Sequence, residues 1–144
     1  MTAGYSGTPL PAKLGIKAGH RVGLVGAPAG FEATLGALPA GVTLRKQLRG
    51  PLDVLVYFTK EAGDLAAKVE RLGAAIEVDG AVWVAWPKRA SKVPTDMTED
   101  VVREVALPLG LVDNKVAALD ETWSGLRLVW RRELRAGLKA SRAK

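Results

Sequence analysis

Residues 53–58 read DVLVYF and residues 81–86 read AVWVAW. Both stretches are almost continuously apolar, which is typical of strands that are covered on both faces. Between them, apolar residues recur at helical spacing and predict one amphipathic helix. These residues are Leu65, Val69, Leu72 and Ile76. Two buried strands joined by such a helix predict a strand–helix–strand unit of a parallel sheet.

The residues before this unit predict a second one, preceded by a short helix. The expected elements are a helix from Thr8 to Leu14, a strand from Arg21 to Val25, a helix from Phe31 to Leu38 and a strand from Val42 to Arg45. Thr8 is the expected N-cap of the first helix, and Gly15 is its expected end.

The residues after the unit predict one more helix and a terminal hairpin. Thr98 should cap the helix, Pro108 should bend its last turn, and Gly110 should end it. Two strands should follow, from Val112 to Leu119 and from Leu126 to Trp130, with Ser124 and Gly125 in their connection. We therefore expect a Rossmann-like α/β three-layer sandwich. Its mostly parallel sheet should have about six strands, with an antiparallel C-terminal hairpin.

Most of the net charge of +6 belongs to the C-terminal end of the chain. The basic residues there are Arg131, Arg132, Arg135, Lys139, Arg142 and Lys144. We expect a single domain over residues 1–132, in which residues 1–18 form an N-terminal arm and short helix, and a basic, flexible tail over residues 133–144. The tail would allow weak contact with nucleic-acid phosphates. The other interpretation is a solvated end that keeps the protein soluble.

The composition excludes several kinds of site. The chain has no cysteine and one histidine, His20, so a thiolate or multi-histidine metal site is excluded. Its apolar runs are shorter than a membrane span requires, and the N-terminus lacks the pattern of a secretory signal. We expect a cytoplasmic protein that is not bound to a membrane.

Candidate ligand-binding residues follow the strands, since the crevice of a parallel sheet lies beyond the carboxyl ends of its strands. They are Gly26, Pro28, Gly30, Lys60, Trp86, Lys88, Glu121 and Trp123. The lysines would neutralise an anion, and Arg89 and Lys92 add positive charge beside Lys88. The tryptophans would either stack on a planar ligand or plug the core. The glycines would either bring backbone N–H groups to a phosphate or form a simple tight turn.

No catalytic set stands out among these residues. Asp120 and Glu121 are adjacent in the sequence, and along a strand their side chains would point to opposite faces instead of forming a facing pair. We expect His20 to lie at the opposite end of the sheet from the crevice. The sequence therefore favours a binding site for an anionic small molecule or a macromolecular partner.

Five segments carry a resemblance to a known family. They are GYSGTPL at 4–10, KLGI at 13–16, VWVAWPK at 82–88, DVVREVALPLGLVD at 100–113 and DETWSGLRLV at 120–129. In these segments the chain resembles an uncharacterised bacterial domain-of-unknown-function family. That resemblance implies no activity.

The order of elements is also similar to the class I methyltransferase layout, which ends in an antiparallel pair of strands. This likeness implies S-adenosylmethionine as cofactor, with Gly26–Gly30 as the glycine-rich loop. It also implies an acidic residue after the second strand, where this chain has Arg45 and Lys46. Those basic residues would suit a 2′-phosphate or protect an edge strand from aggregation. One strand–helix unit of the usual layout is also missing.

The sequence therefore leaves three candidate functions. The first is a non-catalytic binding protein on a degenerate nucleotide-fold scaffold, with its site at the carboxyl edge of the sheet. The second is a methyltransferase-like enzyme that uses S-adenosylmethionine. The third is a nucleic-acid-associated protein that acts through its basic tail.

Overall fold

The structure, a computed structural model, describes residues 8–143 and contains a six-stranded sheet with helices on both faces. The strands are β1 (Arg21–Val25), β2 (Thr43–Arg45), β3 (Leu52–Phe58), β4 (Ile76–Pro87), β5 (Leu111–Ala118) and β6 (Trp123–Trp130). The α-helices are α1 (Leu10–Leu14), α2 (Phe31–Leu35), α3 (Ala62–Ala75), α4 (Glu99–Ala106) and α5 (Arg132–Arg142). Residues 1–7, which hold most of the expected N-terminal arm, and Lys144 lie outside the described residues.

The strands lie in the order β2-β1-β3-β4-β6-β5. Neighbours among β2, β1, β3 and β4 are parallel, whereas β6 runs antiparallel to both β4 and β5. This confirms the expected mostly parallel sheet with an antiparallel C-terminal hairpin. The chain moves from β1 to β2 on one side and then to β3 on the other. The order of strands therefore reverses between β1 and β3, where open α/β sheets form their ligand crevice.

Each face of the sheet buries its own apolar cluster. One cluster includes the α3 stripe of Leu65, Val69 and Leu72, all buried as the spacing predicted. The other lies under α1 and α2 and contains Trp83, whose indole nitrogen donates to the Leu14 carbonyl at 3.0 Å. The sheet, with one cluster on each face, is therefore the middle layer of the three-layer sandwich.

Several expected boundaries were wrong for local reasons. Pro9, not Thr8, occupies the N-cap position of α1, and no side chain caps that helix. Helix α2 ends at Leu35 instead of Leu38, because Gly36 follows it with a φ of +81°. Ile76 does not belong to α3; it begins β4 and pairs with Leu52 of β3.

The connection of the hairpin also differs from the expected one. Ser124 and Gly125 lie inside β6, and the turn is formed instead around Asp120, whose carboxylate accepts from the backbone amides of Thr122 and Trp123. A Cβ at Gly125 would lie 3.0 Å from the Trp83 ring. The glycine therefore makes room for a buried tryptophan and does not form the turn.

Helix α4 forms as expected. The Thr98 hydroxyl accepts from the Val101 amide at 3.1 Å, which completes the predicted N-cap. Pro108 lies in a 3₁₀ turn that extends the helix, and Gly110 ends it with a φ of +104°.

The C-terminal end is a helix and not the expected flexible tail. Helix α5 begins at Arg132, so the expected domain boundary after residue 132 falls inside it. The Arg142 guanidinium donates to the Ile76 and Gly73 carbonyls at 2.7 and 3.1 Å, and Leu138 packs against the core. These contacts attach the end of the chain to the domain.

Within residues 8–143, no helix is both long and apolar enough to cross a membrane.

Candidate functional site

A cleft of about 370 Å³ opens at the carboxyl edge of the sheet, between the ends of β1 and β3. It lies where the order of strands reverses, and we call it the switch-point cleft. Its lining residues are Gly26, Pro28, Phe58, Thr59, Lys60, Glu61, Asp64 and Trp123. Four of the eight residues predicted from the sequence therefore meet here, namely Gly26, Pro28, Lys60 and Trp123.

Gly26 shapes the wall that follows β1. Its φ is +74°, and a Cβ would lie 2.9 Å from the carbonyl oxygen of Phe58. Only glycine allows the chain to turn this closely over the end of β3. The predicted glycine-rich loop is therefore a tight turn that also forms one side of the cleft.

An adjoining hollow of about 340 Å³ contains Gly30, together with Gly26, Pro28 and Lys46. Lys46 forms an ion pair with Glu32 at 2.7 Å. The basic residue found where a methyltransferase would have its ribose-binding acid is therefore neutralised within this hollow. Arg45 belongs to β2, which is an edge strand of the sheet. This position agrees with the interpretation that the basic residues protect an edge strand from aggregation.

Trp123 lines the switch-point cleft and keeps most of its ring in the core. Its side chain packs edge-to-face on Phe58, with ring centroids 5.1 Å apart, and the residue is 8% exposed. Its indole nitrogen has no hydrogen-bond partner within residues 8–143. Since no fully buried side-chain nitrogen in that range lacks a partner, this N–H reaches solvent. At 8% exposure, the ring leaves little area on which a planar ligand could stack.

The segment that follows β3 is held in place by its own polar groups. The Thr59 hydroxyl accepts from the Glu61 amide at 3.2 Å, and the Lys60 carbonyl accepts from the Thr95 hydroxyl at 2.6 Å. The side chains of Lys60 and Glu61 are exposed, and neither has an ion-pair partner in the described part of the chain. The backbone of this segment is therefore fixed, and it places the Lys60 cation and the Glu61 anion at the cleft. We call both side chains uncommitted, because neither has an ion-pair partner in the described residues.

Asp64 is a cleft residue that the sequence reasoning missed. It accepts from the Tyr57 hydroxyl at 2.5 Å and from the Lys68 ammonium at 2.8 Å. Burial opposes ionisation of the Asp64 carboxyl, but these two donors outweigh it and lower its pKa. The i,i+4 spacing of Asp64 and Lys68 on α3 was the signal in the sequence. Asp64 is therefore an ionised, fully engaged carboxylate.

The remaining predicted residues do not join this cleft. Trp86 lies opposite Ser124, one position away from the pair formed by Pro87 and Trp123. Because side chains alternate along strands, Trp86 and Trp123 enter the cores on opposite faces of the sheet. The expected single rim with both tryptophans is therefore not formed.

Trp86 instead lines a separate hollow of about 340 Å³ with Arg89 and Lys92. The Lys88 backbone amide donates to the Thr122 carbonyl at 2.8 Å, which ties the loop to the hairpin turn. Lys88 and Glu121 line neither this hollow nor the switch-point cleft.

His20 lies before β1 at the opposite end of the sheet, as expected, and its Nδ1 accepts from the Lys17 amide at 3.1 Å. Within residues 8–143, no three acidic or histidine side chains are grouped in a way that could hold a metal ion.

Comparison with protein families gives one match. Residues 45–132 match the family described as protein of unknown function DUF3052. No curated protein sequence matches the chain.

Comparison with solved structures shows the fold. A putative type 11 methyltransferase from Sulfolobus solfataricus is similar with a TM-score of 0.59 at 11% identity, over 85% of this chain and 89% of that one. A putative methyltransferase from Thermoplasma acidophilum gives 0.55 at 9% identity, over 87% and 75%. A possible exported protein from Bordetella parapertussis gives 0.58 at 13% identity, over 85% and 65%. The expected likeness to the methyltransferase layout is confirmed as a likeness of fold.

Proposed function

The match over residues 45–132 covers more than half of the chain, so this protein belongs to the DUF3052 family, and we propose that it binds an anionic small molecule in the switch-point cleft without catalysing a reaction. The function of the family is not described, so the proposal rests on the residues of the cleft.

One observation carries this proposal. The switch-point cleft is lined by Lys60, whose cation has no ion-pair partner, and by Trp123, whose indole N–H has no hydrogen-bond partner within residues 8–143. Both groups are donors, and they lie at the position where open α/β sheets bind their ligands. At about 370 Å³ the cleft is within the usual size range of small-molecule sites, which favours a small molecule over a macromolecular partner.

The other charged groups near the cleft are two ion pairs and Glu61. The Lys46–Glu32 and Lys68–Asp64 pairs are each neutral overall, so neither repels nor attracts a charged ligand strongly. Glu61 is the one uncommitted carboxylate of the cleft in the described residues, and it can accept a hydrogen bond from the body of the ligand. A ligand with an anionic group toward Lys60 and a donor toward Glu61 fits this arrangement.

The second candidate is an S-adenosylmethionine-dependent methyltransferase. The methyltransferase neighbours and the turn at Gly26 are the observations in its favour. Against it, β2 is followed by Lys46 where a ribose-binding acid is expected. Asp64 is engaged by two donors, so it does not serve as a free base. Fold similarity at these identities implies no activity.

A role on nucleic acids is the least supported candidate. Three of the tail cations are used inside the domain, because Arg135 donates to the Trp130 carbonyl, Lys139 pairs with Asp79, and Arg142 donates to two carbonyls. Arg131 and Arg132 are the tail cations without such contacts in the described residues. These contacts fix the directions of three side chains, although only Lys139 is paired with an anion. Two side chains free to follow a phosphate backbone favour weak binding at most.

Thermal unfolding against a panel of ligands tests the proposal. The panel is S-adenosylmethionine, its demethylated product, NADP, ATP and inorganic phosphate, each at millimolar concentration. A ligand present at about 100 times its dissociation constant stabilises the folded state by about 2.7 kcal/mol, which raises the midpoint by several degrees. We expect an anionic member to raise it. A shift with the methyl donor and its product alone would make the enzyme the leading candidate.

Substitutions locate the site. Lys60→Gln should weaken binding of the stabilising ligand at least tenfold, because it removes the cation without shortening the side chain greatly. Lys92→Gln removes a similar exposed cation from the separate hollow beside Trp86 and should leave the affinity unchanged. If Lys60→Gln also leaves the affinity unchanged, the ligand does not bind in the switch-point cleft.

A further inference from the structure

A larger hollow of about 610 Å³ lies at the opposite, amino-terminal edge of the sheet, on the face covered by α1. Its wall is formed by α1, the loop that follows α1, and the amino-edge ends of β3 to β6. Residues of that wall include Gly15, Lys17, His20, Asn114, Lys115 and Arg127. We call it the amino-edge hollow, and it shares no lining residue with the switch-point cleft.

Arg127 is the unusual group of this hollow. Trp123, Gly125 and Arg127 are every second residue of β6, so they share one face of the sheet, the face covered by α1. The Arg127 side chain leaves the sheet on that face and is partly buried. Its Nη1 donates to the Asn114 side-chain oxygen at 3.2 Å, and no carboxylate of residues 8–143 lies within ion-pair distance. Burial lowers the pKa of this guanidinium, because no anion compensates for the lost solvent.

The acids in the wall are already paired with other residues. Asp53 accepts from the Arg21 backbone amide at 2.7 Å and from its guanidinium at 3.1 Å. Glu77 pairs with the same guanidinium at 3.0 Å, and Asp79 pairs with Lys139 at 3.1 Å. Arg21 and Lys139 do not line the hollow, so two of these three negative charges are balanced from outside it. The one that remains is outnumbered by the positive charges of Lys17, Lys115 and Arg127 in the wall.

The remaining polar groups of the wall are mainly donors. The Lys115 ammonium donates to the Lys13 carbonyl at 3.0 Å, which satisfies a donor but does not neutralise the charge. His20 accepts at Nδ1, so the neutral ring carries its proton on Nε2. Gly15 has a φ of +81°, and even a Cβ there would stay 4.0 Å from the Arg127 Nη2, so the guanidinium is not crowded from that side.

We propose that the amino-edge hollow binds the phosphate group of a small molecule through Arg127. With one hydrogen bond, to Asn114, the planar guanidinium keeps its Nε and Nη2 hydrogens for a bidentate contact with an oxyanion. Lys17 and Lys115 add further positive charge, which suits a dianion better than a carboxylate. The volume exceeds what a lone phosphate fills and leaves room for an organic body.

Titration of the ¹⁵N-labelled full chain tests this site. Inorganic phosphate and ribose 5-phosphate are added separately at constant ionic strength. We expect saturable shifts of the Arg127 Nε–H signal and of the Gly15 and Asn114 amides. Tighter binding of ribose 5-phosphate identifies an organic phosphate as the ligand class, and equal affinities identify free phosphate. The absence of a saturable shift at Arg127 with both probes overturns the proposal.

Two substitutions separate binding from folding. Arg127→Gln should weaken binding of the better probe at least tenfold. Asn114→Asp places a carboxylate beside the guanidinium and should weaken binding as strongly while the amide spectrum stays that of a folded protein. Retained affinity in Asn114→Asp overturns the proposal even if Arg127→Gln fails to fold.

Lys92→Gln, which removes an exposed cation from the separate hollow beside Trp86, is the matched control. It should leave the Arg127 shifts and the affinity for both probes unchanged. If this variant weakens binding as much as Arg127→Gln does, the probes respond to the net charge of the protein, and the amino-edge site is rejected.

Discussion

Two glycines of α3 lie in opposite environments. Gly73 is buried, and a Cβ there would lie 2.7 Å from the Trp130 ring. The Trp130 indole also donates to the Gly73 carbonyl at 3.3 Å. Gly63 is exposed near the start of the same helix, and a Cβ there would meet nothing within 4 Å.

The two alanine variants should therefore change stability in opposite directions. Gly73→Ala should lower the free energy of unfolding by about 1–3 kcal/mol, because the added methyl group overpacks against a fixed ring. Gly63→Ala should raise it by roughly 0.5–1 kcal/mol, because alanine costs less backbone entropy in a helix. Urea unfolding of both variants measures the difference. A stabilised Gly73→Ala would show that Trp130 does not pack on this glycine.

At the scale of elements, α5 shows how a polar segment is docked. None of its residues is fully buried, and Leu134 is 39% exposed. Besides the packing of Leu138 and the Lys139–Asp79 ion pair, Arg142 attaches it, because its two donors reach carbonyls at the end of α3 and the start of β4. A guanidinium can bridge two acceptors in fixed directions, whereas a lysine ammonium is a compact point charge on a flexible stem.

Arg142→Lys should loosen the C-terminal helix without unfolding the domain. We expect amide hydrogen exchange of residues 136–142 to speed up by roughly three- to tenfold, which corresponds to about 0.5–1.5 kcal/mol for a lost hydrogen bond. Arg132→Lys makes the same chemical change at an exposed position of α5 and should leave exchange unchanged. Equal effects of the two variants would mean that Arg142 does not dock the helix.

At the scale of the whole molecule, two aspartates link folding to pH. Burial opposes ionisation of the Asp53 carboxyl, but the Arg21 guanidinium and backbone amide outweigh it and lower its pKa below the ordinary value of 3.8. The pKa of Asp64 is lowered in the same way by Lys68 and Tyr57. A group with a lowered folded-state pKa stabilises the protein above its unfolded pKa. That contribution is lost as the pH falls through the folded value.

We therefore expect the free energy of unfolding to fall steadily from about pH 5 to pH 2. Asp53→Asn should lower it at pH 7 by about 1–2 kcal/mol, since it removes charge-assisted hydrogen bonds, and should flatten the acid-side decline. Denaturant unfolding at a series of pH values measures both effects. Glu121→Gln removes a carboxylate without an ion-pair partner in residues 8–143 and serves as control. An unchanged slope in Asp53→Asn would exclude Asp53 as a source of the acid sensitivity.

The sequence placed the candidate residues together where the argument depended on strand ends, and was wrong where it depended on side-chain direction; that they bind a ligand stays a prediction. Gly26 and Lys60 each follow a parallel strand, so the rule for parallel sheets brought them to one cleft. Trp86 and Trp123 also lie at strand ends, but pairing of Trp123 with Pro87 sends the two rings to opposite faces. Register between β4 and β6 is not visible in either strand alone.

Local patterns by themselves determined the class of this fold. The apolar runs of β3 and β4, the stripe on α3 and the Thr98 cap are local signals, because a period or a cap involves residues close together in the chain. Tertiary structure alone decided that residues 132–142 dock as a helix and that Asp64 is held by Tyr57. It also decided that Arg127 faces a hollow in which no carboxylate of the described residues lies within ion-pair distance of its guanidinium. Each of these depends on groups far apart in the chain, or on which face of a strand a side chain leaves, and only the packed sheet fixes both.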